Sequence, residues 1–458
     1  MRLVRKLAAV AAALATMAVP GACSGGSDSD GGDHSVPDTL RVATLYSPTS
    51  YFIYREEQMG YDYTLLRQLA DSLSMEVDLT VAPSLEAAME MLDSGLVDLL
   101  AYEVPVTKYY KDIVAHCGPV TVTNQVLVQP RSDSVITDVT GLVGRDVYVE
   151  NNSKYLRRLS NLNDELGGGI RIHTVDRDTL ITEDLLQMVA DGLIPLTVVD
   201  SDVARLNKTY YPQLDISLSL SFDQRSQWAV SRKRQWLADS IDSWFGKEVP
   251  QKNVDAVYKR YFEMAKSVPS AFSFDFSKGR ISPYDQYFRT HARELGWDWR
   301  LLASQGFVES RFDNSVTSWA GARGIMQIMP STARANGVAP AELDNPETSV
   351  RIAVKVLVAT DRLMRRYVSD PDERRLFVLA AYNSGAAHIV DAIELARKYG
   401  LNPSVWSNNV EHALLMKADP RYYNDPVVKY GYFRGRQTTE YVRQVMQFYK
   451  RSIKQVPL

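Results

Sequence analysis

The spacing of apolar residues changes near position 270, and this change divides the chain into two parts that must fold differently. Before it, short apolar runs of strand length alternate with amphipathic helical patterns, which predicts α/β units around parallel sheets. After it, helical patterns dominate. The sequence therefore predicts an α/β domain followed by a mainly α domain.

The individual elements follow from the same spacing. Predicted strands are Leu40–Leu45, Val77–Val81, Val97–Ala101, Val126–Val128, Val147–Val149 and Leu196–Val199. Predicted helices between them are Tyr63–Leu73, Leu85–Leu92, Tyr155–Leu166 and Glu183–Ala190. In the second part, predicted helices are Val350–Tyr367, Arg374–Tyr382, Ile389–Tyr399 and Glu440–Lys454.

A segment rich in serine, with Pro269 and Gly279, separates the two parts. We expect a first domain over residues 39–264, a linker over 265–280 and a second domain over 281–458. The 458 residues suffice for two sizeable cores, since 45% are hydrophobic.

The N-terminus has the pattern of a targeting segment. Basic residues at Arg2, Arg5 and Lys6 precede an apolar run, Leu7–Val19, that is too short for a stable membrane span. This pattern is typical of a secretory signal peptide, which we place at residues 1–22.

Cys23 follows Pro20-Gly21-Ala22, a sequence that resembles a lipoprotein processing site. The Ser, Gly and Asp-rich run after it cannot pack a core, so residues 23–38 are predicted to be a lipidated flexible tether. Ser24 after the cysteine favours the outer membrane, facing the periplasm. The alternative is ordinary signal-peptidase cleavage, which gives a soluble periplasmic protein.

Composition excludes several function classes. The net charge is only −3 and no basic run is interleaved with aromatic residues, so no nucleic-acid partner is expected. Cys117 would have no partner once Cys23 is lipidated, and we expect it to be a small buried apolar residue. The six histidines lie far apart in sequence, so no metal and no cofactor is predicted.

The second part contains one carboxylate in an apolar setting. Asp298 is a predicted N-cap for a helix in which Leu302, Gly306 and Glu309 share a face. Partial burial disfavours the charged form of a carboxylate, which suits a general acid. The alternative interpretation is that Glu309 is a solvated surface residue.

Two glycine-punctuated motifs follow. In the loop after the helix, Gly321 and Gly324 permit close approach of a polymer, while Ser318 and Gln327 offer polar groups beside Glu309. A second motif, AAYNSGAAHI, ends a helix. These motifs predict one cleft.

The strings ESRFDNSVTSWAGARGIMQIMPSTA and AYNSG, in this order, resemble the transglycosylase SLT domain, the lysozyme-like catalytic unit of lytic murein transglycosylases. The resemblance implies that Glu309 is catalytic. It implies substrate-binding roles for Ser310, Ser318, Gly324, Met326, Gln327, Tyr382, Asn383 and Tyr441. Gln437 stands where relatives usually carry a glutamate.

The chemistry that this resemblance implies is nonhydrolytic cleavage of peptidoglycan. The β-1,4 bond between N-acetylmuramic acid and N-acetylglucosamine would break with formation of a 1,6-anhydromuramyl end, using Glu309 alone as acid and base. Tyr382 and Tyr441 have a competing interpretation as core aromatics.

The first domain resembles the periplasmic solute-binding family of the amino-acid type, whose two lobes close on a ligand. The segments LRVATL, GYDYTLLRQLADSL and SGLVDLLAYEVPVT carry this resemblance. At the position where the family has an arginine that binds the ligand's carboxylate, this chain has Tyr110. The bidentate contact between arginine and carboxylate is therefore lost. Candidate cleft residues are Tyr46, Tyr51, Ser153 and Asp200. We expect a regulatory ligand such as a wall peptide or an amino acid; the alternative is a packing surface with no ligand.

Two further function classes remain open from the sequence. A goose-type lysozyme shares the fold and the glutamate but leaves a reducing sugar. A non-enzymatic, wall-anchored receptor would use only the solute-binding domain.

Overall fold

The computed structural model describes residues 38–132, 134–151, 153–175, 182–264 and 279–458. The predicted signal peptide, the lipidation site Cys23 and nearly all of the tether and linker lie outside these residues, and their predictions stand as predictions. The described residues belong to one compact unit.

The described strands fall into the first half of the chain. They are β1 Thr39–Leu45, β2 Phe52–Tyr54, β3 Glu57–Met59, β4 Glu76–Ala82, β5 Leu99–Pro105, β6 Val114–Thr123, β7 Gln125–Pro130, β8 Asp146–Glu150, β9 Arg171–Val175, β10 Thr197–Asp200, β11 Leu214–Asp215 and β12 Gln224–Ser231.

The described helices are interspersed with the strands and then continue alone. Those of the first half are α1 Tyr61–Ser72, α2 Leu85–Asp93, α3 Lys108–Lys111, α4 Lys154–Glu165, α5 Thr182–Ala190, α6 Ser201–Lys208, α7 Gln235–Phe245 and α8 Glu248–Phe262. Those of the second half are α9 Asp285–Leu295, α10 Trp299–Ser310, α11 Pro330–Ala335, α12 Pro346–Met364, α13 Pro371–Ser384, α14 Ala386–Lys398, α15 Glu411–Met416, α16 Pro420–Tyr423 and α17 Gly435–Gln455.

The strands form two five-stranded sheets, and each is the centre of one lobe. The first lobe has the order β4-β1-β5-β12-β6, and the second has β11-β7-β10-β8-β9. In the first lobe β1 runs parallel to β4 and β5. Helix α1 covers this sheet with Leu65, Leu66 and Leu69, all fully buried, because apolar residues at helical spacing form one face.

Two chain crossings connect the lobes. The chain leaves the first lobe after β6 and returns to it as β12, so only these two segments join the sheets. The side-chain amide of Asn124 in one crossing donates to Asp223 in the other, at 3.0 Å. Two adjacent crossings of this kind form a hinge about which lobes can rotate.

The prediction of an α/β domain followed by a mainly α domain is confirmed, and the predicted elements are found with shifted ends. The sheets contain the predicted parallel pairs, but they are mixed and also contain antiparallel ones. Strand β12 is antiparallel to β5 and β6, and β7 is antiparallel to β10, because these strands lie at the crossings and enter each sheet from the hinge side. Cys117 is fully buried and free, as predicted.

Helix α10 is the centre of the second domain. Every residue from Leu301 to Phe307 is buried, which happens when neighbouring helices surround a helix on all sides. Helices α9 and α17 are among those that pack around it, and Phe448 of α17 stacks on Phe307 at 4.1 Å between ring centroids. The residue at the end of α10 is therefore held rigidly.

The two domains share apolar core. Trp319, from the loop after α10, packs against Tyr54 and Tyr261 of the first lobe, with ring centroids 5.6 and 6.1 Å apart. Arg260 donates to the carbonyls of Trp319 and Ala320 at 2.9 and 3.2 Å. Because Trp319 is only 8% exposed, the domains bury it jointly.

We expect Trp319→Ala to lower the free energy of unfolding by about 3 kcal/mol or more, because a large buried aromatic side chain is removed. Scanning calorimetry should show the single transition of the wild type separating into two. Trp406→Ala, which removes a tryptophan buried within the helical domain alone, should lower the melting temperature without separating the transitions. A single transition in Trp319→Ala would mean that the domains are coupled elsewhere.

Candidate active site

Glu309 lies in the last turn of α10, and its side chain is 4% exposed. The helix begins at Asp298, whose carboxylate accepts the N–H of Arg300 at 2.9 Å, as the sequence predicts. It ends in two left-handed residues, Arg311 at φ 55° and Phe312 at φ 63°. These turn the chain sharply away, so that the loop after α10 folds back beside Glu309.

That loop depends on its glycines. Gly324 has φ 75°, and a Cβ there would lie 2.2 Å from the backbone oxygen of Leu343. Gly321 has φ 94°. Only glycine adopts such conformations without strain, so both positions fix the path of the backbone.

Several predicted site residues hold this loop through hydrogen bonds. Tyr382 donates to the carbonyl of Met326 at 2.7 Å, and Ser310 donates to that of Ile325 at 2.9 Å. The side-chain amide of Gln327 donates to two loop carbonyls at 3.0 Å each. Burial and the charge of Glu309 raise the pKa of Tyr382 well above its usual value, which keeps this phenol protonated.

Other predicted residues also bond to protein atoms. Ser318 accepts the N–H of Ala322 at 3.0 Å, and Asn383 accepts a hydrogen bond from Thr438 at 2.7 Å. Met326 is fully buried, beneath the groove. Such residues position the loop and the groove wall.

Tyr441, on α17, is the predicted residue that contacts Glu309 directly. Its hydroxyl donates to Oε1 of Glu309 at 2.7 Å. Burial and the charge of Glu309 raise the pKa of Tyr441 well above its usual value, so the phenol remains a donor. The structure therefore brings together a carboxylic acid from α10 and a hydrogen-bond donor from α17, which lie near opposite ends of the helical domain's sequence.

Arg55 of the first lobe also occupies the site. It forms the turn between β2 and β3, and its guanidinium lies 3.1 Å from Oε2 of Glu309. It also donates to the carbonyls of Gln327 at 2.6 Å and Asn383 at 3.1 Å. Burial opposes its charge, but the charge of Glu309 together with the neighbouring tyrosines outweighs burial and raises the pKa of Arg55. The guanidinium thus occupies the space beside the carboxylate of Glu309.

The whole hairpin docks on the helical domain. The N–H of Arg55 bonds to the carbonyl of Ser384 at 3.1 Å, and Glu56 accepts the N–H of Ala386 at the start of α14, at 3.3 Å. A carboxylate is favoured there by the helix dipole. Gly385 leaves just enough room, since a Cβ on it would lie 3.0 Å from the nitrogen of Glu56.

A buried triad anchors the hairpin. Lys417 is fully buried and donates to Asp391 at 2.6 Å and to Nδ1 of His388 at 2.8 Å. Because Nδ1 is the acceptor, Nε2 carries the proton and donates to the carbonyl of Ile53 at 2.8 Å. Burial lowers the pKa of Lys417 to about 8.

Arg55 separates two cavities. One, of about 880 Å³, is also lined by Glu309 and Tyr441, and the other, of about 380 Å³, is also lined by Tyr382. Arg55 and Gln327 line both. Without the hairpin, the two cavities would form one groove that passes the carboxylate of Glu309.

The predicted cleft residues of the solute-binding domain divide between its lobes. Tyr46 and Tyr51 lie side by side in the first lobe, with ring centroids 5.5 Å apart and the ring planes tilted by 32°. In the second, Ser153 caps α4 and Asp200 pairs with Lys154 at 2.5 Å. The cationic partner of Asp200 is thus a residue of the chain itself.

Arg55 is the site residue that sequence reasoning missed. The turn Tyr54-Arg55-Glu56-Glu57 has positive φ at both central residues, 49° and 65°, where hairpins normally carry Asn-Gly. No glycine or asparagine marked the turn. Two consecutive strained residues in a charged turn can indicate a functional site, but the strain becomes visible only in the structure.

Comparison with known proteins agrees with the two-domain division. The family model "Transglycosylase SLT domain" matches residues 286–403, and "Bacterial extracellular solute-binding proteins, family 3" matches residues 40–264.

Similar whole proteins share both domains. A Pseudomonas fluorescens protein named membrane-bound lytic murein transglycosylase F is 32% identical over 417 residues, which cover 90% of this chain and 84% of the relative. A protein of the same name from Desulfosudis oleivorans is 29% identical over 413 residues, covering 89% and 88%.

We expect Tyr441→Phe to reduce turnover on the order of 100-fold, because the donor that orients Glu309 is lost. Release of soluble fragments from murein sacculi would measure it. Tyr449→Phe is the matched control, since that hydroxyl lies on the same helix and bonds to Asp298 at 3.0 Å, at the far end of α10. Equal losses in both variants would indicate an effect on folding only.

Proposed function

This chain belongs to the membrane-bound lytic murein transglycosylase F family, and from that membership we propose that Glu309 is the single acid and base of its reaction. The protein is a peptidoglycan lytic transglycosylase, a lyase, located in the cell envelope. The observation that carries the proposal is one buried carboxylate, oriented by a phenol, in the wall of the larger cavity.

The reaction needs no second carboxylate. Protonated Glu309 donates its proton to the glycosidic oxygen as the bond from C1 of N-acetylmuramic acid breaks. The substrate's acetamido group stabilises the cationic centre in place of a protein nucleophile. The carboxylate then takes the proton of the C6 hydroxyl, whose oxygen bonds to C1. Protons balance, no water is consumed, and the product has a 1,6-anhydromuramyl end, whereas hydrolases use two carboxyl groups.

We assign supporting roles by position. Tyr441 orients Glu309, and Gln327 and Asn383 offer their carbonyls, which Arg55 now occupies, to substrate amides and hydroxyls. The remaining predicted residues shape the groove: Ser310, Ser318, Gly324, Met326 and Tyr382.

The solute-binding domain is proposed to hold the enzyme inactive in this conformation. Arg55 forms an ion pair with Glu309 and fills the position next to it that a sugar must enter. Withdrawal of the β2–β3 hairpin restores the groove. The regulatory ligand would be a wall peptide or an amino acid.

Both lobes contact the helical domain, so their rotation would be transmitted to it. The hairpin belongs to the first lobe. From the helical domain, Arg434 donates to Asn207 of the second lobe at 2.7 Å, and Arg436 donates to Asp184 of the same lobe at 2.5 Å. Closure of the lobes changes the distance between these anchors, so one of the two sets of contacts must break.

We further propose that the chain is exported, lipidated at Cys23 and held at the outer membrane, facing the periplasm. In the part of the chain that the structure describes, no helix has the length and apolar character needed to cross a bilayer. A lipid anchor and a flexible tether would let the catalytic domain reach the wall.

We expect Glu309→Gln to abolish release of anhydro-ended muropeptides from purified sacculi, because glutamine cannot donate or accept the transferred proton. Mass spectrometry distinguishes the outcomes: anhydro ends from the intact protein alone support the proposal, and reducing ends, heavier by one water, indicate a lysozyme. Release at the wild-type rate by Glu309→Gln, or no release by Arg55→Ala with Glu309 intact, would contradict it.

We expect Arg55→Ala to raise the rate of muropeptide release at least tenfold, because Glu309 loses its ion pair and the groove opens. Arg67→Ala is the matched control, since Arg67 pairs with Asp71 at 3.5 Å on the exposed face of α1. Unchanged activity in Arg55→Ala would sink the inhibitory role of the hairpin.

We expect Cys23→Ala to move the protein from the membrane fraction to the soluble periplasm, because the acylated thioether is lost. Fractionation with radiolabelled palmitate would detect it. Membrane retention with no label in the wild type would rule the anchor out.

A further inference from the structure

Arg311 lies directly after the helix that carries Glu309. It is the C-cap of α10, with a left-handed φ of 55°, and it lines the larger cavity together with Glu309 and Tyr441. A cation is therefore present in the wall of the groove, beside the carboxylate that we propose as the acid. Unlike Arg55, it belongs to the helical domain, so it would remain in the groove after the hairpin withdraws.

Aromatic rings position the guanidinium of Arg311. It lies over the ring of Phe307, 4.2 Å from the ring centroid, and Phe307 in turn stacks on Phe448 of α17 at 4.1 Å. Stacking occupies one face of the planar guanidinium and leaves its in-plane N–H groups available to an acceptor. The rings thus hold this side chain in place without using its hydrogen-bond donors.

These donors have no carboxylate partner in the part of the chain that the structure describes. The buried Nε of Arg311 has no hydrogen-bond acceptor. Burial lowers the pKa of Arg311, whereas the pKa of Arg55, which has a carboxylate beside it, is raised. A donor that is buried without an acceptor is unfavourable until a ligand accepts from it.

Two other arginines of the larger cavity are already paired with carboxylates. Arg443 pairs with Glu440 at 2.6 Å, and Arg436 pairs with Asp184 of the second lobe at 2.5 Å. The protein compensates the charges of these two side chains. The charge of Arg311 is available to an anionic group of a bound polymer.

We propose that Arg311 is a specificity-determining residue that binds a carboxylate of the murein strand next to the bond that is cleaved. This rests on the proposed function of the larger cavity as part of the murein groove, and it names the substrate group that is recognised there. The lactyl group of N-acetylmuramic acid ends in a free carboxylate where no peptide is attached. Where a stem peptide is attached, that carboxylate is an amide and the peptide supplies carboxylates of its own.

A carboxylate matches Arg311 better than a neutral sugar group does. Its two oxygens can accept two parallel N–H groups of one guanidinium, and such charge-assisted hydrogen bonds are roughly twice as strong as neutral ones. Neutral polar side chains, Gln327 and Asn383, line the same cavity and suit hydroxyl and acetamido groups. Arg311 would therefore bind and orient the strand, while proton transfer stays with Glu309.

Cleavage of matched murein strands tests the proposal. Soluble strands without peptide are used unmodified and with the lactyl carboxylate converted to a methylamide, and peptide-bearing strands are treated in the same two ways. Arg311→Gln should raise the KM for a carboxylate strand about tenfold, because a charged hydrogen-bond pair is lost, and should leave kcat nearly unchanged. The KM for the amidated counterpart should not change. The strand type that shows the loss identifies the lactyl group or the peptide as the source of the carboxylate.

Two further variants are controls. Arg311→Lys keeps the charge but not the planar pair of donors, so it should recover part of the lost affinity. Arg362→Gln, at an exposed arginine in the last turn of α12 that lines neither cavity, should leave the KM unchanged. All variants are also prepared with Arg55→Ala, because a closed conformation reduces apparent affinity. Melting temperatures check that each variant is folded.

Binding measured without cleavage separates this proposal from the proposed function. In the double variant Arg55→Ala, Glu309→Gln, the addition of Arg311→Gln should raise the Kd for carboxylate strands about tenfold. Such a rise, with no cleavage by any of the proteins, would remove the proposed function and keep the carboxylate site. The proposal is overturned if Arg311→Gln affects carboxylate and amidated strands equally, if it changes neither KM nor Kd, or if no strand binds.

Discussion

The ion pair between Arg55 and Glu309 joins the two halves of this protein at the carboxylate that we propose as the catalytic group. A buried arginine next to a buried glutamate is costly to separate, because each charge left alone would lose its solvation without compensation. The pair therefore persists while the hairpin stays docked. It separates when both groups can reach water or substrate. Every contact that positions the hairpin therefore also positions Arg55 against the carboxylate of Glu309.

The docking contacts explain why the domains form one unit. Trp319 packs within the core of the first lobe, although it belongs to the loop that begins the catalytic groove. The hairpin packs on α13 and α14, although it belongs to the first lobe. Each domain thus contributes an element to the other, so movement of either lobe would displace residues that line the groove.

Much of this could be predicted from the sequence, and the remainder has physical reasons. Glu309, the glycines of the following loop and Tyr441 were predictable because they belong to local motifs, and α17 is also a strongly amphipathic helix. The role of Arg55 was not, because it depends on a contact between residues 254 positions apart and on a turn that lacks the usual glycine. The antiparallel strands were missed for a related reason, since strand direction at the hinge depends on the order of crossings and not on local pattern. Asp200 is a further case: its partner, Lys154, becomes visible only when α4 and β10 are brought together.

The strain in the hairpin bears on how readily the enzyme could be switched. Two non-glycine residues with positive φ cost about 1 to 3 kcal/mol each, and the docked contacts of Arg55 and Glu56 offset that cost. The free energy that favours the inactive conformation is then the difference between the docking contacts and the backbone strain, which are similar in size. Moving such an equilibrium from almost fully closed to almost fully open requires roughly 5.5 kcal/mol of differential binding. A ligand of the solute-binding domain has less to supply when the inactive conformation is itself strained, because the strain at Arg55 and Glu56 already offsets part of the docking contacts.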